Sequence, residues 1–474
     1  MNPNKPGKLK PALSIMAMAS VLLLNGCANF QGISPQAKLM QVPETAAQND
    51  AAWDAVQWPQ RIGGDSLAQL IATGLKDNPG IDMARTRISA AATSEALARA
   101  STLPSAGLQA ESTYQRFTET GMIPPPLGGT WDTNNQVTVG VKYDLDFWGK
   151  HQAALKSAIS QKAATEAELA AARMSLAAAI ASQWVQLNHH AQALELTTTQ
   201  LKLRQRISEL SKTRAKAGLE NQTEIRQNEL SESALLQEIQ QWKDGIDSAK
   251  LQLALLLGKT PDYAASIAVP AAPVQGLTVP PENLPLHLIA RKPEIVAARW
   301  RVEAADAGIA QAKANFYPDI NISAFAGLSS LGLDHLLKSG SAIAGAGPVL
   351  SLPIFDGGRL RASLSRNVAE YDTAVYSYNQ SLQSAFKDAA EQVQSLQKLN
   401  EQRKIAESAR QSANQLQQLA TLRQRAGTGT ALPVLQAAIN EVGQKKNLND
   451  IQSKMTLSQI ALIRAIGGDV PATN

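Results

Sequence analysis

Covalent or metal chemistry needs thiols, imidazoles or clustered carboxylates, and this chain of 474 residues offers one cysteine, Cys27, and five histidines. A lone cysteine has no disulfide partner within the chain, so covalent modification is the use it suggests. His151, His287 and His335 stand apart, while His189 and His190 are neighbours. Adjacent helical residues point about 100° apart, so that pair does not make the i, i+4 arrangement of a zinc site. The simpler reading is two solvated helix residues. No serine elbow, P-loop or dinucleotide fingerprint occurs, so the residues point to no catalytic site, no metal and no cofactor beyond a covalent group on Cys27.

The surroundings of Cys27 say what that group is. Lys5, Lys8 and Lys10 give a positive start, and residues 12–24 are apolar or small. Such a run rises about 20 Å as helix, short of the roughly 30 Å of a membrane core. A basic start and a short apolar run make a secretory signal peptide, residues 1–26. Leu24-Asn25-Gly26-Cys27 resembles the bacterial lipobox, where the signal is cut before a cysteine whose sulfur takes a lipid. Ala28 follows, not the aspartate of an inner-membrane retention signal, which favours the outer membrane. The alternative is an ordinary signal with a chance thiol.

Once the three signal lysines are gone, 42 basic residues face 40 acids, a balance that suggests no nucleic-acid partner. Aromatics are only 4%, and the 44% hydrophobic share is heavily alanine, which suits helices packed closely side by side. After residue 27 no stretch offers the roughly 18 continuous apolar residues of a membrane helix. A membrane crossing must then be made by a barrel.

The chain is written twice. Shifted by 214, residues 78–104 fall on 292–318 with 11 of 27 positions identical, including Pro79 on Pro293, Pro104 on Pro318, and Arg85 and Arg87 on Arg299 and Arg301. Farther on the shift is 209, placing Gly149 on Gly358, Gly218 on Gly427 and Gly258 on Gly467. The first copy therefore carries five extra residues between 108 and 144.

Within each copy the period changes. Residues 136–147 alternate strictly, with Val137, Val139, Val141, Tyr143 and Leu145 on one face and Thr138, Lys142 and Asp144 on the other. Ala346, Pro348, Leu350 and Leu352 mark the matching strand, and partner strands are expected over about 105–116 and 319–328. Strands of 10 to 12 residues suit a tilted membrane strand, yet four cannot close alone, since the smallest membrane barrels need about eight. Oligomerisation must close the sheet, unless it is a soluble two-hairpin sheet. Each hairpin is followed by 68 residues without Gly or Pro, 150–217 and 359–426, and then by a returning helical run. These are two long helical hairpins, about 100 Å each if straight.

The segments "ARKPEIVAARWRVEAA" (290–305), "ANFYPDINISAFAG" (314–327) and "GPVLSLPIFDGGRL" (347–360), with the tips "KAGLENQTEI" (216–225) and "RAGTGTALPV" (425–434), resemble the TolC-like outer-membrane efflux proteins, in their lipid-anchored NodT-type branch. The resemblance implies a mainly α fold with a β-barrel portion, built from two tandem repeats, each a β-hairpin plus a long helical hairpin. It implies a homotrimer whose twelve strands form an outer-membrane barrel continued by a periplasmic helical barrel. The domains then read as signal peptide 1–26, lipid-anchored segment 27–65, first repeat 66–258, equatorial linker 259–285 and second repeat 286–474. Trp148-Gly149 and Gly357-Gly358 become strand-to-helix corners. Ala217, Gly218, Leu219, Ala426, Gly427 and Thr428 become tips that dock a periplasmic adaptor, although each glycine also serves as a plain turn residue. Glu224, Gln227, Pro433 and Gln436 fall where many relatives carry acids around the channel entrance, and Pro433 is expected to distort the first turns of its helix. The function implied is the exit duct of a tripartite efflux system, fed by an inner-membrane pump. The competing readings are a periplasmic lipoprotein adaptor or coiled-coil scaffold, and a lipid-anchored periplasmic enzyme.

Overall fold

The computed structural model describes residues 29–41, 57–122, 126–270, 274 and 286–468. Cys27 and the signal segment lie outside these residues, as does most of the linker after residue 270. Helices α1 (Trp58–Asp77) and α2 (Pro79–Ala100) lead into strands β1 (Ser105–Arg116) and β2 (Trp131–Leu145), then helices α3 (Lys150–Lys216) and α4 (Gln222–Leu256). The second repeat follows as α5 (Pro293–Ala314), β3 (Asp319–Leu331), β4 (Ala342–Ser351), α6 (Arg359–Arg425) and α7 (Ala431–Ala465). The long helices have 67 residues in both copies and the return helices 35.

β2 begins at Trp131, ahead of the expected alternation, because the polar stretch Thr133–Gln136 pairs with Glu111–Tyr114 of β1 and Trp131 pairs with Arg116. Ladder hydrogen bonds carry the strand where hydrophobic patterning gives no signal.

The chain divides into two compact units, the first drawing on Met1–Leu39, Ile88–Ala164 and Ala298–Tyr378, the second on Met40–Arg87, Thr165–Ala297 and Asn379–Asn474. The first unit holds one antiparallel sheet in the order β1-β2-β3-β4. Its apolar core joins Ile309 and Ala312 of α5, and Phe316 just beyond that helix, to Leu364 and Val368 of α6. Residues 29–37 run as a strap over this core. Phe30 sets its ring edge-on to Phe316 at 5.0 Å. Arg361 donates to the carbonyls of Asn29 (2.7 Å) and Gln31 (3.0 Å), and Asp372 accepts from the amides of Gln36 and Ala37 at 3.0 and 2.9 Å.

The second unit is built on a larger core in which Trp58, Leu67, Ile71 and Leu75 of α1 meet Ile180 and Leu187 of α3, Leu253 of α4 and Ile460 of α7. Burying each such side chain stabilises by roughly 1.5–3 kcal/mol. Ala177 belongs to this core and is 0% exposed, so it is a packing residue.

Glycines close each repeat on itself. Gly258 has φ 69°, and a Cβ there would lie 2.2 Å from the Asp77 carbonyl oxygen. Its repeat counterpart Gly467 has φ 71°, with a Cβ 2.7 Å from the Lys292 Cα. Lys259 adds an ion pair to Asp77 at 2.7 Å. Both the positive φ and the backbone contact demand glycine. Gly258→Ala should therefore lower unfolding stability by at least about 2 kcal/mol, measured by denaturant titration of the detergent-solubilised protein. Gly443→Ala, with open space around the added methyl, should cost nothing measurable.

Candidate functional site

The sheet has two unlike faces. One carries Leu108, Val137, Val139, Val141, Tyr143, Ile320, Ile322 and Leu350, and in this single chain Leu108, Val139, Val141, Tyr143, Ile322 and Leu350 are exposed. Tyr114 and Trp131 stack at 5.4 Å on the same face beside the first hairpin's connection. An exposed apolar band with aromatic residues toward its end is the pattern of a lipid-facing barrel surface. The other face carries Gln109, Glu111, Thr113, Gln136, Thr138, Lys142, Asp144, Asn321 and Ser323. Thr138 is only 9% exposed, because Gly327 opposite lets the backbones approach, whereas Gln136 on the same face is exposed. Phe325 also lies on this polar face, one step beyond Ser323 in the alternation.

Sheet leads to helix through short corners. Trp148 donates to the Pro318 carbonyl at 2.9 Å and stacks on Tyr317 at 4.6 Å. Gly149 has φ 72°, Gly357 64° and Gly358 88°, so the chain turns through left-handed backbone that favours glycine. Asp146 accepts from the Gln152 amide at 2.9 Å, and Asp356 from the Gly358 and Leu360 amides at 2.9 and 2.8 Å. The Leu360 amide, followed by other local amides and Arg359, holds the Asp356 carboxyl below the usual carboxylate range.

The tips are two copies of one hydrogen-bonded turn. Leu219 and Gly218 donate to the carbonyls of Arg214 and Ala215, and Thr428 and Gly427 to those of Arg423 and Gln424, all within 3.1 Å. This doubled bond closes a helix through a glycine at positive φ, here 73° and 74°. Ala217, Gly218, Leu219, Ala426, Gly427 and Thr428 are all exposed. Behind them the copies differ. In the first, Ser211 donates to Glu220 at 3.2 Å and accepts from Asn228 at 3.0 Å, while Arg214 pairs with Glu220 at 3.3 Å. Ala420, Gly429 and Ala437 stand at the matching positions of the second. The bracing role of Glu220 within the tip was not legible, since only its partners Ser211 and Arg214 give it one.

At the expected entrance positions, Gln227, Pro433 and Gln436 are exposed and Glu224 is half-buried, one carboxylate oxygen enclosed without a hydrogen bond. Pro433 does not distort its helix as expected. It is the third residue of α7, where the amide has no intrahelical partner to lose, and the helix runs on to Ala465.

With that geometry in place, the family model described as outer membrane efflux protein matches residues 70–259 and 284–468, one stretch in each repeat. The chain belongs to the outer membrane efflux protein family. Fusaric acid resistance protein FusA of Burkholderia cepacia is 31% identical over 365 residues, covering 75% of this chain and 69% of that protein. Multidrug resistance outer membrane protein MdtP of Escherichia coli strain K12 is 27% identical, covering 98% of both. Among solved structures, the outer membrane protein VceC of Vibrio cholerae superposes with a TM-score of 0.78 at 35% identity, over 87% of this chain and 98% of that one. The place of the chain is the outer membrane, and its work is efflux through a channel; the family is one of channels and not of enzymes.

The efflux protein's neighbouring histidines are not solvated helix residues. His189 Nε2 lies 2.6 Å from Asp450 Oδ1, and both rings pack against Trp242, at 5.7 and 5.6 Å between centroids. The Trp242 indole donates to Glu238, which also binds Lys446. The pair therefore ties α3 to α4 and α7, and among the described residues no metal-binding group includes it. His190 Nδ1 is buried without a hydrogen-bond partner, and burial first, then the nearby His189, holds its pKa below the ordinary 6.5. The unfolded chain thus takes up this proton before the folded one, so the stabilisation is full above the ordinary value and declines as pH falls below it. Melting temperature should fall between pH 7.5 and 5.5, and His190→Phe should flatten that slope; an unchanged slope would remove His190 as its cause.

Proposed function

We propose that three copies of this chain close their sheets into one twelve-stranded barrel and act as the exit duct of a tripartite efflux system, receiving cargo from an inner-membrane pump through a periplasmic adaptor. The observation that carries this reading is the four-stranded sheet itself. Its apolar face suits lipid, while β1 and β4 each pair on one side only. An unpaired backbone group in hydrocarbon costs several kcal/mol, so a sheet seated in the outer membrane must pair its edges with other copies. Exposed Leu416, Leu419 and Leu422 on α6 supply further surface suited to a neighbouring copy. A lipid on Cys27 anchors the chain start, and the strap held by Arg361 and Asp372 follows it. The two tips are the adaptor's seats. The scaffold reading does not use a lipid-facing sheet, and among the described residues no metal-binding cluster favours the enzyme reading.

Two substitutions on opposite faces test closure. Val141→Arg should destabilise insertion by roughly 2 to 4 kcal/mol at mid-bilayer depth, whereas Gln136→Arg on the polar face should insert and conduct in planar bilayers. Equal tolerance of both would mean the sheet is not in lipid.

The tips require a different measurement. Gly218→Trp and Gly427→Trp should leave trimers intact yet reduce efflux and adaptor crosslinking, while Gln411→Ala, on the exposed side of α6, should change neither. Normal export by both tip variants would show that the tips are turns only.

A further inference from the structure

Phe325 sits at the middle of β3 on the face that is otherwise polar. The residues in register with it across the sheet are Gly107, Gly140 and Gly345, so one row reads glycine, glycine, phenylalanine, glycine. The ring is not upright. A Cβ placed on Gly345 would lie 2.7 and 2.8 Å from two of its carbons, so the ring leans across the bare backbone of β4. It remains 44% exposed. On the next register row the relation is reversed, with Ile343 of β4 opposite Gly327 of β3.

The first repeat is built differently. The positions matching Phe325 and Gly345 are Glu111 and Gln136, which pair with each other across β1 and β2. A polar pair therefore satisfies the fold at this place. The aromatic ring and the glycine that seats it are peculiar to the second repeat, and the ring is an exposed side chain, not a core one. A ring laid along a wall, covered on one side and open on the other, offers a flat π surface, and such surfaces attract aromatic rings and organic cations.

We infer that Phe325 is a stacking platform on the lumen wall for flat aromatic cargo in transit. The inference rests on the channel reading above, in which threefold symmetry places three such rings at one height. Because each ring lies on Gly345, it adds a contact without narrowing the passage.

The full-length protein in planar bilayers, with ethidium as the probe, tests this. Ethidium should lower the current through the wild-type channel. Phe325→Leu should raise the half-blocking concentration roughly fivefold, the factor corresponding to an aromatic pair of about 1 kcal/mol, with the open current unchanged. Phe325→Trp should keep the block. Gly345→Ala should push the ring off the wall and lower the open current with Phe325 present, but not in the Phe325→Leu background, so the current separates a seated ring from a plain loss of folding. If Phe325→Leu conducts and is blocked as readily as wild type, the platform is wrong while the channel stands. If the wild-type protein gives no conductance, the channel reading fails and the platform falls with it.

Discussion

Everything in this chain answers to the free backbone groups on the outer edges of β1 and β4. Water would satisfy them at no net cost, and hydrocarbon cannot. A chain that places an apolar face toward lipid has to find partners for those edges, and four strands are too few to supply them internally. That requirement links chemistry to assembly. The alternation along β2 and β3 chooses the lipid side, and the polar face is thereby turned inward, where Gln136, Lys142, Asp144, Asn321 and Ser323 line what the closed sheet encloses.

The helical parts follow a second constraint, the length of regular helix that must be started and stopped cleanly. Both 67-residue helices begin beside an aspartate that accepts nearby backbone amides and end at a glycine that turns the chain back. Alanine lets helices approach one another, and the bulk of the second unit's core comes from a few large residues, Trp58 foremost, packed among small ones. The repeat sets the geometry once, and local differences, such as the Ser211–Glu220–Asn228 brace present in only one tip, adapt the copies separately.

Sequence period revealed most of the fold because strands and helices leave period in side chains. The expected strands 105–116 and 319–328 and the glycine-free helical runs correspond to elements whose ends differ by only a few residues. Legibility failed where a contact joins distant residues. His190 reads as a surface residue until Trp242 covers it. Pro433 read as a disruption because the start of its helix was not yet known. Phe325 was within reach of the alternation, but the Gly345 beneath it depends on the register between β3 and β4.

The paired glycine seats bear on ancestry. Gly258 brings the end of the first repeat against Asp77, close to that repeat's own start, and Gly467 brings the end of the second against Lys292, at the same place in its copy. Each half thus holds, within itself, the contact that joins its last helix to its beginning. A half-length chain would keep that contact, and a gene duplication joining two halves would need no new junction to hold them. The linker between the halves is then free to vary in length and composition, and the natural places to cut and rejoin the gene lie just beyond Gly258 and Gly467.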